Sequence, residues 1–388
     1  MWYFVAPQII FGEDALEALE EVEGERALVI TDRTLVRLGL VDKVVGHLKK
    51  AGFEVQVFDE VEPDPSLQTA HRGAELAQTF GPDWIVAVGG GSPMDAAKAV
   101  WILYERPDLD PAEINPFVEL GLRKKARLIT VPTTSGTGAE VTWAIVLTDT
   151  AEQRKLGLGN RENVADIAIV DPALVMGMPP ALTADTGMDA LTHAVEGYSS
   201  TWHNDMTDGL CLQATQVIFD YLPRAVADGD DAEAREKMHN AATLAGLGFG
   251  NSMASMAHAV GHSLGAVFHV PHGRAVGLLL PYTIEFIAAE APERFAKLAR
   301  LLQCHAGESD EEAARALARA IRELAEVTGS PTHLAALEIP PEAFEERLED
   351  LVDRAFNDSS LLTAARSPGF DELRALFTYA YEGRPIDF

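Results

Sequence analysis

The sequence predicts an α/β domain built on a parallel sheet over residues 1–178, followed by an all-helical domain over residues 179–388. Three observations predict this. Between residues 26 and 171 short β-rich runs alternate with helical ones, the pattern of strands joined by crossover helices. Beyond residue 171 no β-rich run recurs. Between the two regimes lies PALVMGMPPAL, whose three prolines and one glycine mark a boundary near residues 178–180. A chain of 388 residues also exceeds what one ordinary core organises, so two domains are expected.

Taken in order, MWYFVAPQII lacks a basic leader region and a small-residue cleavage site, and it reads as a first strand. RALVIT, FEVQVF, WIVAVG, ARLITV, AIVLT and IAIVD are the further strands, and TLVRLGLVDKVVGHLKKAG and SLQTAHRGAELAQTF are amphipathic helices among them. Continuous apolar strands separated by helices imply a Rossmann-like sheet covered on both faces. Ligands bind such sheets at the carboxyl ends of the strands, and two small-residue segments stand there. GGGSPMDAAK, residues 89–98, follows WIVAVG, with Ser92 and Pro93 suited to an N-cap and a first helical position. It is not a GxGxxG fingerprint, yet its backbone can approach a phosphate at a helix start. PTTSGTGAEVT, residues 132–142, follows ARLITV and adds hydroxyls and two glycines. Asp32, at the end of RALVIT, suits a ribose hydroxyl and repels a 2′-phosphate, which favours NAD over NADP. The candidate cofactor-binding residues are Asp32, Gly89, Gly90, Gly91, Ser92, Asp95, Thr133, Thr134, Thr137, Thr142 and Lys155.

In the helical half, TADTGMDALTHAVEGY at residues 183–198 sets Asp189 and His193 four apart, so both side chains leave one helix face a turn apart. HAVGHSLGAVFHVPHG at residues 258–273 repeats the spacing with His258 and His262 and adds His269 and His272 around Pro271. One carboxylate and several imidazoles on apolar helices suit a divalent transition metal of borderline softness. Spacing alone does not choose among His258, His262, His269 and His272.

Composition excludes several classes. A formal charge of −29 repels nucleic-acid backbones and anionic lipid. A hydrophobic content of 47% fits a soluble globular chain, and the longest apolar stretch is interrupted by Pro281 and Glu285, so no membrane span is expected. Cys211 and Cys304 are the two cysteines, too few for a disulfide framework, and a cytoplasmic location is expected. Acidic runs such as EDALEALEEVEGE are read as solvated helix faces.

GGGSPMDAAK, PTTSGTGAEVT, TGMDALTHAVEGY and HAVGHSLGAVFHVPHG, in this order, resemble the iron-containing (group III) alcohol dehydrogenases over most of the chain. The resemblance implies the architecture shared with dehydroquinate synthase: a dinucleotide-binding domain, a helical domain, and a metal facing the nucleotide across a cleft. It implies Asp189, His193, His258 and His272 as the metal ligands. His262 matches a histidine beside metal and nicotinamide that is not a ligand and is the candidate catalytic residue, whereas His269 falls where the family uses none. It also implies NAD, Fe²⁺ with Zn²⁺, Ni²⁺ or Mn²⁺ tolerated, and a homodimer paired through the first strand. Where many members carry an Asn-Pro-Arg segment this chain has FNDSSLLTAARSP, in which Ser360 is expected to face the pocket; Trp143 and Phe249 are its apolar candidates.

The implied reaction is reversible hydride transfer between a primary alcohol or aldehyde and the nicotinamide, with the metal as Lewis acid. A lyase of the dehydroquinate synthase type would use the same architecture without net NADH change but needs a basic pocket. A non-catalytic nucleotide-binding protein would need no metal.

Overall fold

Strands β1 (Gln8–Phe11), β2 (Arg26–Ile30), β3 (Glu54–Phe58), β4 (Trp84–Gly89), β5 (Arg127–Pro132) and β8 (Ile167–Val170) form one parallel sheet in the order β1-β8-β5-β4-β2-β3. This computed structural model describes residues 3–388 except 153, 305, 306 and 308. The chain divides into two units, Met1–Met176 and Gly177–Phe388.

Strand β4 is buried along its whole length, and its period of two splits the apolar run between two cores. Ile85 and Ala87 join α3 (Leu67–Phe80) and α4 (Gly91–Glu105), around Val100 and Trp101. Val86 and Val88 join α2 (Leu40–Lys50) and the turn of helix at Ala15–Glu21, around Val44, Leu48 and Leu19. The strand order reverses direction between β2 and β4, so Asp32 and the glycines of residues 89–91 stand at the switch point where α/β sheets bind ligands.

Four local expectations are corrected. AIVLT is β6 (Ala144–Asp149), which pairs antiparallel with β7 (Arg154–Gly159) in a hairpin outside the parallel sheet. Ile145 and Leu147 are buried while Ala144 and Val146 are exposed, the alternation of a one-sided ribbon. The helix at TLVRLGLVDK breaks at Gly39, φ 71°, into α1 (Arg33–Arg37) and α2. Of the expected strand MWYFVAPQII only residues 8–10 lie in β1, Tyr3 to Pro7 being irregular; residues 1 and 2 lie outside the described residues. Helix α4 starts at Gly91 with Gly90 in the cap position, so Ser92 and Pro93 lie inside its first turn.

The second unit consists of α5 (Pro180–Ser199), α6 (Asp205–Ala227), α7 (Ala232–Gly250), α8 (Met256–Phe268), α9 (His272–Ala288), α10 (Glu293–Leu301), α11 (Asp310–Val327), α12 (Pro341–Phe356) and α13 (Phe370–Glu382). No strand occurs in it among the described residues. Helix α5 is buried from Gly187 to Ser199 and packs against α6, α7 and α9, which explains why its sequence lacks a polar stripe. Two close approaches require glycine. A Cβ on Gly273 would lie 2.3 Å from the Asp185 carbonyl oxygen, and one on Gly197 would lie 3.0 Å from the Phe249 backbone. The first seats the start of α9 on α5, and the second seats the end of α7 there.

Candidate metal centre and nucleotide loops

Helix α5 presents Asp189 and His193, α8 presents His258, and α9 opens with His272. One donor atom from each of the four lies within 4.8 Å of all the others. Gly273 and the paired bonds of Arg274 to Asp185, both 3.0 Å, hold the start of α9 against α5 and so fix where His272 enters. Asp189 Oδ1 stands 3.8 Å from His193 Nε2 and 3.4 Å from His272 Nε2. The His193 ring stacks on Phe249, with centroids 4.0 Å apart, and on His258 at 4.7 Å. Phe249 therefore walls one side, while the His272 side chain, 42% exposed, leaves another side open.

The electrostatics of the group call for a cation. Asp189 Oδ1 and His258 Nε2 are buried with no hydrogen-bond partner among the described residues, a state that costs free energy unless something fills it. Burial pushes the Asp189 carboxyl up to about 7 against the opposing charge of His258, with Asp185 adding to the rise. Burial alone would lower the His258 imidazole, but Glu196 and then Asp189 hold it above its ordinary value. A divalent ion would satisfy both lone pairs and neutralise the carboxylate, so the residues fit the metal that the sequence implies.

His262 lies one turn beyond His258 and outside this group. Its ring is stacked with His272 at 5.3 Å and sits edge-on to His258 at 5.7 Å; its Nδ1 is 2.9 Å from Asp358 Oδ2. Burial would raise Asp358, but the bond and charge of His262, with the Ser360 N–H on Oδ1 at 2.8 Å, hold it at about 2. Ser360 thus enters the arrangement as a hydrogen-bond partner of Asp358. His269 closes α8 in a left-handed conformation, φ 55°, is exposed, and takes no part.

In the first unit the two small-residue loops meet. Gly89 carries φ 156°, and a Cβ there would lie 2.4 Å from Pro93 Cγ. Cβ atoms on Gly90 and Gly91 would lie 3.1 Å from Thr134 Oγ1 and 3.2 Å from Thr137 Cγ2. The Thr133 N–H donates to the Gly89 carbonyl at 2.9 Å. Asp32 caps α1, its Oδ1 accepting from Thr34 and Leu35 N–H. Lys155, on β7, pairs with Asp64 at 2.7 Å, and the Asp64 N–H donates to Ser92 Oγ at 3.3 Å, which ties the hairpin to the glycine loop. Asp95 accepts from the Val146 N–H at 3.0 Å, and burial pushes its carboxyl up to about 6. Trp143 lies against Gly159 within the same unit.

Three residues escaped the sequence reading. Glu196 follows Asp189 by seven and His193 by three, so one helix face carries all three; that spacing was the available signal. Lys98, three residues after Asp95, is fully buried, is pushed down to about 8 by burial, and donates to the Ala144 carbonyl at 3.0 Å and to Thr142 Oγ1 at 3.5 Å. Asp358 gave no local signal, since its partner lies 96 residues away.

The chain matches the family model described as iron-containing alcohol dehydrogenase over residues 6–172, and the C-terminal model of the same family over residues 183–381. It is 42% identical to an NADPH-dependent butanol dehydrogenase of Clostridium saccharobutylicum over 391 residues, the full length of both chains. It is 37% identical to an aldehyde-alcohol dehydrogenase of Streptococcus pneumoniae, matching over 98% of this chain but spanning only 46% of that longer protein. The crystal structure of a 1,3-propanediol oxidoreductase superposes with a TM-score of 0.92 at 36% identity, covering 98% of this chain and all of the other. That of a sulfoacetaldehyde reductase from Bifidobacterium kashiwanohense in complex with NAD⁺ superposes with a TM-score of 0.88 at 29% identity, covering 98% and 99%.

Proposed function

The chain belongs to the iron-containing alcohol dehydrogenase family, a class of NAD(P)-dependent oxidoreductases, and from that premise we propose which residues carry the reaction and with what substrates. The reading is reversible hydride transfer between a primary alcohol or its aldehyde and a nicotinamide. The observation that carries it is the donor group of Asp189, His193, His258 and His272, the first three buried, with Asp189 Oδ1 and His258 Nε2 left without hydrogen bonds among the described residues. These four hold one divalent ion. Four protein ligands leave tetrahedral Zn²⁺ no open position, whereas Fe²⁺ accepts higher coordination, so Fe²⁺ is the preferred ion. When bound, the ion supplies a Lewis acid for the substrate oxygen.

The remaining steps belong to the chain's own groups. His262 takes the hydroxyl proton at Nε2 while Asp358 holds its Nδ1, and an imidazole is suited to pass that proton on near neutral pH. Phe249, stacked on His193, keeps water from that side and offers an apolar surface to a short or medium alcohol. In the first unit the backbone of residues 89–91, with Thr134 and Thr137, receives the diphosphate, and Ser92, Thr133, Thr142 and Lys155 complete the nucleotide contacts. Asp95 acts there by fixing the hairpin. Asp32 accepts from a ribose hydroxyl and disfavours a 2′-phosphate, giving a preference for NAD, and in the second unit Ser360 flanks the substrate.

Formation of NADH from NAD⁺ and a primary alcohol in the Fe²⁺-loaded protein tests the reading. A lyase would turn over without net NADH, and a binding protein would not turn over at all. No helix among the described residues is long and apolar enough to cross a membrane, and with two free cysteines we place the protein in the cytoplasm.

A further inference from the structure

Glu196 is not one of the four donors, yet it is among the best-satisfied acids of the helical unit. It is 3% exposed, on the α5 face that carries Asp189 and His193. Its Oε2 lies 2.5 Å from His258 Nδ1 and accepts the Ser255 N–H at 2.8 Å, while Oε1 accepts the Ala257 N–H. Two of these donors belong to the start of α8, whose cap residue Ser255 makes no side-chain cap of its own. A carboxylate brought across from α5 thus does the capping, with its negative charge at the positive end of the helix.

The consequence falls on His258. A neutral imidazole carries one N–H, and committing Nδ1–H to Glu196 leaves the lone pair on Nε2. Nε2 is buried without a hydrogen-bond partner among the described residues, as is Asp189 Oδ1 in the same group. Only an acceptor can face three N–H groups at once, so neither an amide nor a hydroxyl serves in this position.

We infer that Glu196 is the positioning residue of the metal centre: it selects the His258 tautomer that offers Nε2 to the ion and fastens α8 in the register that brings that nitrogen there. This rests on His258 being a ligand, as proposed above. Partners that orient metal-bound imidazoles typically contribute about 10- to 100-fold to affinity.

The test titrates the full metal-free chain with Zn²⁺ as probe. Glu196→Gln turns an amide N–H toward at least one of the three donors and removes the charge. We expect its Zn²⁺ dissociation constant to rise about 10- to 100-fold while circular dichroism of the metal-free protein is unchanged. Glu285→Gln is the control, since it removes another buried carboxylate of the same unit, bonded to Arg322 and to the Ile386 N–H; it should lower the unfolding temperature and leave Zn²⁺ affinity as it was. Parental affinity in Glu196→Gln, or an equal loss in Glu285→Gln, overturns the inference. The parent protein supplies a second measurement whatever the variant does: imidazole ¹⁵N spectra without metal, taken at a pH where His258 is neutral, should show the Nδ1–H tautomer, and the Nε2–H tautomer overturns the inference. His258→Ala separates the two claims. If it loses Zn²⁺ while Glu196→Gln does not, only the role of Glu196 fails; if it retains parental affinity, the ligand assignment itself fails.

Discussion

The nucleotide loops of the first unit and the donor group of the second both stand at helix starts or on helix faces, but they are made from opposite materials. At residues 89–91 side chains have been removed until backbone fills the site: Gly89 needs a φ closed to other residues, and Gly90 and Gly91 lie so near Thr134 and Thr137 that an added β-carbon would press on them. Around Asp189 the candidate site is made of side chains, buried so deeply that Asp189 Oδ1 and His258 Nε2 lack hydrogen bonds among the described residues. The first site tolerates no added atom and the second no lost one. That asymmetry gives each site its own way to fail.

The largest effect is expected from removing a donor. His258→Ala or His272→Ala should release the ion and cut turnover on the order of 10³-fold, the several kcal/mol of a Lewis acid, while His269→Ala keeps both. Metal analysis beside NADH formation checks this, and full metal in His272→Ala would contradict the grouping. Acid should do the same reversibly: protons compete for the four donors, so metal affinity falls as pH falls.

Adding an atom comes next. Gly89→Ala combines a positive φ with a clash on Pro93, a strain of about 1–3 kcal/mol. Nicotinamide affinity by fluorescence titration should fall while metal content is unchanged; equal loss of metal would show that the two sites do not fail separately.

A smaller effect belongs to His262, which borders the donor group without joining it. His262→Gln should keep the metal and the cofactor and slow turnover about 10-fold or more if proton transfer limits the rate. Loss of metal in that variant would move His262 into the ligand set.

Asp32→Ser should narrow the preference for NAD⁺ over NADP⁺, read as the ratio of kcat/KM for the two cofactors, with metal content unaffected. A parent enzyme that already prefers NADP⁺ would instead show that the Asp32 carboxylate, capping α1, does not guard the ribose. The mildest test concerns assembly. Strand β1 is a sheet edge that ends on the exposed Phe11, and pairing with a second copy would cover it. Light scattering at micromolar concentration should report a dimer, and a monomer would leave the edge to be explained otherwise.

What the sequence determined by itself is what local spacing and period can carry. The continuous apolar runs WIVAVG and ARLITV dictated strands buried on both faces, glycines after them dictated loops at strand ends, and Asp189 with His193, like His258 with His262, were bound to share a helix face because four residues make about one turn. The tertiary structure decided the rest. AIVLT has strand composition in either architecture, and only the neighbouring RKLGLG and the apolar surface of α4 draw it into a hairpin. Of the histidines at residues 258–272, packing of α9 on α5 through Gly273 is what carries His272 to Asp189 and leaves His269 at a helix end. Glu196 meets His258 across 62 residues, and Asp358 meets His262 across 96. A hydrogen bond has no period to read along the chain; it exists where folding brings a donor within about 3 Å of an acceptor, and those encounters set which nitrogen of each imidazole faces the site.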